Sequence, residues 1–500
     1  MFEPLSLFVG SIHVRFHVGD VILILLEQGI PVLLEQVSRR FPKKITKRIE
    51  VEDKISGLPD DLLVQILLLV PTKDAVATMI LSKRWRYIWT MVPKLDYLND
   101  GIHKVGFLDF LFGDRDSYQR WFLRFIDESL RVHKAPVLEK LAIGLGPRCP
   151  VDVNVDVGKW IEKAVNRKVR EIEFILRWSA EHTSLPKILY TCDTLVFLSL
   201  SEKILVDVPS LACLPSLEDL ELHSVVYKDE DSLARLLSSC PNLNYLSVER
   251  RDLQDNVKLF NIKAPLLESL SYDYVELRSH NEGNIGGGTL VIDCPALKEI
   301  SIADYSGDSC FVENNPHLDK AFISGFCNPD DKFVACLSSV IDLELVLNFA
   351  TFAWFNTVNF YQLLECKIKI VDEVDWLEPL MFLLQNSPNL KVLSIYKTFI
   401  RNAEELPLSW NQPSSVPECL ATHLEIFEWN EYGGRNEEKE LVRYIFANSN
   451  FLKRAGFSLK STSKNKKKMI ELESMSRISS SSQLIFSTQL EYLCVLYEKK

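Results

Sequence analysis

The chain has 500 residues and a formal net charge of −11, with 47% hydrophobic and 25% charged side chains. That length exceeds one ordinary core and predicts several units or a repeat array, in a composition typical of folded proteins. The acidic balance argues against a general nucleic-acid face, which needs a basic surface to neutralise phosphates. No run of about 18 apolar residues offers a membrane-spanning helix. The longest candidate, Val21–Leu26, ends at Glu27, and no secretory signal is legible, so the chain reads as intracellular, in cytoplasm and/or nucleus. Eleven scattered cysteines form no Cys-x-x-Cys pair, which points to buried thiols rather than disulfides or a zinc site.

Residues 1–50 read as a poorly ordered extension, with six basic side chains in RRFPKKITKR at 39–48. That tract suits either a nuclear import signal or a solvated linker. In the next stretch, 53–97, Leu58-Pro59 opens a helix carrying Leu62, Leu63, Ile66, Leu67 and Val70 at helical spacing. Pro59 suits a first helical turn, and Thr72 and Ser82 stand where N-caps belong. Leu81-Ser82-Lys83-Arg84-Trp85-Arg86 opens a third helix, and Trp89 and Val92-Pro93 close the module. About 45 residues cannot bury so many large apolar side chains alone, so a partner surface is expected. This segment resembles an F-box, a three-helix plug for a ubiquitin ligase.

From about residue 135 a repeat recurs: proline, any residue, Leu, two residues, Leu, one residue, then an apolar residue. Good copies are PVLEKLAI (136–143), PSLEDLEL (215–222), PNLNYLSV (241–248), PLLESLSY (265–272), PALKEISI (295–302) and PNLKVLSI (388–395). DTLVFLSL (193–200), RKVREIEF (167–174) and SSVIDLEL (338–345) lack the proline. Apolar residues two apart share one face of a short strand, and the residue between projects to the other, concave face. One copy cannot bury its apolar face, whereas stacked neighbours can. The irregular period resembles that of plant leucine-rich-repeat proteins with F-boxes. NEGNIGGGT (281–289) reads as a loop insertion; it lacks the ending and context of a phosphate loop.

RNAEELPLSWNQPSSVP (401–417) has three prolines and reads as a linker. The segment after it carries Cys419-Leu420, His423-Leu424, Phe427-Glu428-Trp429, a helix over Glu437–Asn448, Leu452-Lys453 and SSSSQLIF (479–486). Those features resemble the FBD domain. The basic run Lys464–Lys468 reads as a solvated loop, and the last fourteen residues run past the usual end of that module.

Together these resemblances predict an α/β chain: an N-terminal three-helix F-box, an irregular leucine-rich-repeat solenoid (a curved parallel sheet with outer helices and loops) and an FBD cap. The expected boundaries are extension 1–50, F-box 51–98, repeats 99–400, linker 401–417, FBD 418–490 and tail 491–500. The plant F-box/FBD/leucine-rich-repeat resemblance implies a non-catalytic substrate receptor of a cullin-RING ligase. Its F-box would dock on a Skp-type adaptor and, through it, cullin, while the repeats bind an unknown protein substrate. By that resemblance Leu58, Pro59, Ile66, Leu67, Leu81, Lys83, Trp85 and Trp89 lie at or just beneath the adaptor contact. The repeat pattern projects Asp219, Glu221, His223, Tyr245, Glu249, Ser271, Glu299, Ser394 and Tyr396 onto the substrate face, with an acidic excess that suits a basic partner. No cofactor, nucleic acid or membrane partner is expected, and no catalytic or metal-ligating motif is present. A ligand-sensing receptor of the same architecture, or an interaction scaffold without ubiquitin transfer, are the alternative readings.

Overall fold

The computed structural model describes residues 6–9, 12–15, 58–98, 115–146, 156–177, 181–251, 256–275, 288–306, 309–314, 316–325, 328–348, 351, 354–371, 375–398, 408–459 and 465–487. The basic tract at 39–48 and the insertion at 281–287 lie outside the described residues. Cα proximity divides the chain into two units, Met1–Lys228 and Asp229–Lys500.

In the first unit, β1 (Ser6–Val9) and β2 (Ile12–Arg15) pair antiparallel within the stretch read as a poorly ordered extension. Three short helices follow: α1 (Asp60–Leu67), α2 (Thr72–Ala77) and α3 (Trp85–Ile88). Asp60 and Asp61 place negative charge at the positive end of α1. Pro59 is the N-cap residue of α1, one position ahead of the helical turn expected for it. Thr72 does not cap α2 either; Pro71 holds that position, and the Thr72 hydroxyl instead accepts the Asp96 N–H at 2.6 Å. Ser82 is not the N-cap of α3 either; Arg84 holds that position, and the Ser82 Oγ accepts the Trp85 N–H from two residues further ahead, at 3.4 Å. Leu63, Leu67, Ala75, Val76, Trp85, Ile88 and Trp89 form the buried core of the module.

The chain passes from this module directly into β3 (Lys94–Tyr97), then α4 (Arg115–Val132), β4 (Lys140–Leu145), α5 (Val157–Val165), β5 (Glu171–Leu176), β6 (Thr183–Ser184), β7 (Phe197–Glu202), β8 (Ile204–Val206), β9 (Asp219–His223) and β10 (Val226–Tyr227). Strands β3, β4, β5, β7 and β9 make one parallel sheet, and β6, β8 and β10 a second small parallel one. Parallel neighbours need crossovers, here supplied by helices, short 3-10 turns and loops.

The second unit begins with α6 (Ser232–Ser238), β11 (Tyr245–Arg251), β12 (Leu259–Lys263), β13 (Ser269–Val275), β14 (Thr289–Asp293), β15 (Glu299–Asp304), β16 (Ser309–Glu313), β17 (Lys320–Ser324) and β18 (Asn328–Pro329). It continues with α7 (Asp331–Cys336), β19 (Asp342–Leu347), β20 (Glu365–Val371), α8 (Leu377–Asn386), β21 (Val392–Thr398), α9 (Glu418–Thr422), β22 (Ile426–Tyr432), α10 (Asn436–Asn448), β23 (Arg454–Leu459), α11 (Asn465–Glu473) and β24 (Gln483–Ser487). Strands β11, β13, β15, β17, β19, β20, β21, β22, β23 and β24 form a parallel sheet in that order, and β12, β14, β16 and β18 a second one.

Each unit's long sheet is that of a leucine-rich-repeat solenoid, and its period follows from the repeat motif. The first leucine of each copy lies inside, as Leu217, Leu243, Leu267, Leu297 and Leu390 show, and the turn before it is closed by bonds such as Leu297 N–H to the Cys294 carbonyl at 3.1 Å. The strand starts at the fifth residue of each copy, with its two apolar residues buried, as in Leu220 and Leu222 of β9 or Leu246 and Val248 of β11. Each fully buried leucine contributes about 1.5–3 kcal/mol, realised only when the next repeat covers it. Cys192, Cys240, Cys294, Cys310, Cys336, Cys366 and Cys419 are buried in this stack. Burial pushes the Cys294 and Cys419 thiols up to about 12, which keeps them protonated and inert.

The FBD segment adds further repeats to the sheet of the second unit, since β22 pairs with β21 in parallel register and β23 and β24 follow. The stretch read as a linker is partly anchored: Leu408 is buried, the Ser409 N–H bonds Asp375 at 2.8 Å and Trp410 packs edge-on to Tyr444. The basic run is helical from Asn465 onward, as the first turn of α11, rather than a loop.

Candidate functional site

Two surfaces carry the residues singled out in the sequence. On the three-helix module, Pro59, Leu62, Ile66 and Leu69 fall three or four positions apart along α1 and the turn after it, so they share one stripe. Leu69 is 83% exposed and Leu62 45% exposed, while Ile66 is half-buried. Leu81 (58% exposed), Lys83 and Tyr87 are exposed around the start of α3. Of the eight residues predicted for the adaptor contact, Pro59, Leu81 and Lys83 are exposed and Leu58 and Ile66 half-buried. Leu67, Trp85 and Trp89 are buried core. Leu62, Leu69 and Tyr87 are exposed apolar residues that sequence reasoning did not select. The spacing from Ile66 would have found Leu62 and Leu69.

Arg84 ties the module together: its Nε donates to Asp60 at 2.8 Å, and it also bonds the Leu58 carbonyl. The module is fused to the first strands of its own unit. The Thr90 carbonyl accepts N–H groups of Lys134 and Ala135 at 2.8 and 2.9 Å, and the Pro93 carbonyl that of Glu139 at 2.7 Å. His133, 2% exposed, bonds the Val92 carbonyl through Nε2 at 2.7 Å, while Arg167 donates to its Nδ1 at 2.8 Å. Burial, reinforced by the Arg167 charge, lowers its pKa to about 4. Tyr97 adds a hydroxyl contact to Ser129 at 2.6 Å across the same joint.

The second surface is the outward side of the parallel strands. In the first unit Asp219, Glu221 and His223 alternate with buried Leu220 and Leu222, and Glu221 pairs in register with Ser199. In the second unit Tyr245, Ser269 and Glu299 form one cross-strand row, and Ser247, Ser271 and Ser301 the next; Glu249 pairs with Asp273. Further along, Ser394 and Tyr396 pair with Lys367 and Lys369 on β20. Alternation therefore puts the projected residues on the face the sequence assigned, although Ser394 is buried there.

The charge of that face differs from the acidic surface expected. Lys140 lies 3.4 Å from Glu173, Lys320 3.1 Å from Glu299, Lys369 2.5 Å from Glu344 and Arg454 2.6 Å from Glu428. Of these four carboxylates the sequence projection named Glu299, and it named none of the basic partners; Lys320 and Lys369 belong to copies that escaped notice. The face is a ladder of opposite charges, and such exposed pairs contribute little to stability individually.

Sequence comparison decides the family. An Arabidopsis thaliana protein named for F-box, FBD and LRR repeats, At1g22000, is 50% identical over 453 residues, 88% of this chain and 92% of its own length. The chain belongs to the F-box/FBD/LRR-repeat family. A second Arabidopsis thaliana relative, the FBD-associated F-box protein At1g05080, is 45% identical over 450 residues, 88% of this chain and 98% of that protein. The F-box/FBD/LRR-repeat protein At4g26340 of the same plant is 39% identical over 442 residues, 87% of this chain and all of that protein. The F-box domain profile matches residues 55–97, so the three-helix module is the F-box of this family member. The profile described as "FBD-associated F-box protein At5g56370, LRR repeats" matches 157–280, and the FBD profile matches 412–457. The FBD match covers α9, β22, α10 and the start of β23, the elements that lengthen the sheet of the second unit.

Proposed function

We propose that this protein is the substrate-recognition subunit of a cullin-RING ubiquitin ligase. The F-box docks on a Skp-type adaptor, and through it cullin, while the outward face of the parallel strands binds a protein target. The observation that carries this reading is the F-box surface. Its core is closed by Leu63, Leu67, Trp85, Ile88 and Trp89, yet Pro59, Leu62, Leu69, Leu81 and Tyr87 remain in water. An apolar set of this kind beside a completed core is what a docking surface leaves on the free protein.

The chain itself performs no bond chemistry in this scheme; it raises the effective concentration of a substrate lysine at the loaded conjugating enzyme. The fused joint at Val92, His133 and Arg167 serves that role, because it fixes the F-box on the first strands of its own unit. The charge ladder suits a target with interspersed charges of both signs rather than a purely basic one. The scheme places the protein in the cytoplasm and/or nucleus, where such ligases assemble.

The test is adaptor capture by the full chain and by Leu62→Asp/Leu81→Asp, both exposed positions. Loss of the adaptor with an unchanged melting temperature is the expected result. Retention by the double variant would refute the docking surface.

A further inference from the structure

We propose that Tyr305 anchors the protein target in the second unit, its outer ring face receiving an arginine side chain of that target; this rests on the outward strand face being the target surface. Tyr305 follows directly on β15 and is 50% exposed. Its hydroxyl lies 2.5 Å from the Oγ of Ser324 in β17. Ser324 pairs in register with Ala303, so it belongs to the outward face, yet it is buried. The ring also lies against Gly325. A Cβ built on that glycine would stand 2.6, 2.6 and 2.8 Å from three ring carbons, so the two meet face-on. Tyr305 therefore lies over the end of β17 with one ring face on the strand and the other turned to solvent.

The pose is held from two sides. Gly325 has a left-handed backbone, φ +66°, and any side chain there would displace the ring. The Ser324 contact fixes the hydroxyl end. An exposed tyrosine restrained in this way loses little side-chain freedom when a partner meets it, and tyrosines of this kind are frequent binding hot spots.

The surroundings select a cation. In this unit the chain already sets its own cations on aromatic faces, with Arg250 4.5 Å from the Phe260 centroid and 5.3 Å from that of Tyr274, and Lys369 5.2 Å from that of Phe322. Tyr305 offers such a face to solvent. Asp304 adjoins it in the chain, and Asp273 stands one strand away on β13, in register with Ala303. Arg250 and Arg251 are on β11, a strand further off, and Lys320 sits at the other end of β17 against Glu299. Arginine suits the ring better than lysine, because its planar guanidinium stacks on an aromatic face and is the more weakly hydrated.

Peptides displayed from a random library test this on the full chain, after depletion on full-length Tyr305→Leu. Survivors are titrated against wild type, Tyr305→Leu and Tyr305→Phe, with each arginine replaced in turn by citrulline, its neutral near-isostere. The expected survivors contain arginine. Tyr305→Leu and one citrulline should each weaken binding about 3- to 30-fold without adding to each other, while Tyr305→Phe, which keeps the ring face, changes it less than about 3-fold. An unchanged melting temperature shows Tyr305→Leu to be folded, and the citrulline arm uses wild-type protein alone. An empty pool, survivors without arginine, citrulline without effect, or losses that add would each overturn the anchor. Selection without the depletion step separates this from failure of the target surface. Peptides lost on Ser271→Arg but indifferent to Tyr305→Leu would keep the outward face and overturn the anchor, whereas a pool insensitive to both substitutions would overturn both.

Discussion

Acidification should loosen the joint between the F-box and the first repeats, and His133 sets how much. In the folded chain its ring is buried, with Nε2 on the Val92 carbonyl and Nδ1 accepting from Arg167. Protonation would place an N–H against the Arg167 guanidinium in a site shielded from water. The ring therefore stays neutral down to about pH 4, against an ordinary value of 6.5. Above 6.5 the ring is neutral in both states and costs nothing. As pH falls below 6.5 the unfolded chain takes up a proton that the folded chain refuses, so stability falls until about pH 4 and then levels off. Between pH 7 and pH 5 the loss from this residue alone is about 2 kcal/mol, and over the whole window about 3 kcal/mol. The assay is the melting temperature of wild type and His133→Gln across pH 5–7.5. Other groups titrate in both proteins, so the difference between the two slopes isolates His133. A shallower slope in the variant is expected. Parallel slopes, or a steeper one in the variant, would refute the assignment of a buried neutral ring.

Three further outcomes follow from the packing. Lys397 of β21 and Glu438 of α10 form an ion pair at 3.6 Å with both side chains essentially out of water, so Lys397→Met should destabilise the second unit by about 3–5 kcal/mol in urea titration, with Lys397→Met/Glu438→Leu less damaging than the sum of its parts. Thr72→Val keeps the volume but strands the Asp96 N–H, which should cost about 1–3 kcal/mol of stability in the same assay. Among the described cysteines, iodoacetamide at neutral pH should modify Cys213, the exposed one, while Cys294, Cys366 and Cys419 react only after denaturation, as read by peptide mapping.

The repeat was legible because its physics is local. A leucine three residues ahead of the next apolar pair fixes a turn and a strand start, and β7, β9, β11, β13, β15 and β21 begin where the motif puts them. The copy at PHLDKAFI (316–323) escaped notice because Ala321 stands where the pattern expects leucine, although β17 forms there and Ala321 is buried. The copy at YQLLECKI (361–368) escaped because it lacks the proline and also carries Cys366 where the pattern expects leucine, and with it went Lys367 and Lys369 on the outward face. Capping was misjudged at Thr72 because a buried hydroxyl can satisfy a distant N–H as readily as one in its own helix. On the F-box the sequence marked a surplus of apolar residues, but not which of them face water. Leu62 and Leu63 are chemically identical neighbours, and only the packed helices separate exposed from buried. The FBD read as a terminal cap whose strand-like segments keep the repeat's spacing, and β22, β23 and β24 continue the sheet of the second unit with that spacing.

The central claim is that the exposed F-box surface docks on a Skp-type adaptor. Its most direct test is titration calorimetry of the purified full chain against a purified adaptor bound to the N-terminal part of cullin. Saturable 1:1 binding, lost in Leu62→Asp/Leu81→Asp, is the predicted result. A flat titration at micromolar concentrations of a folded chain, or binding that the double substitution leaves unchanged, would contradict it.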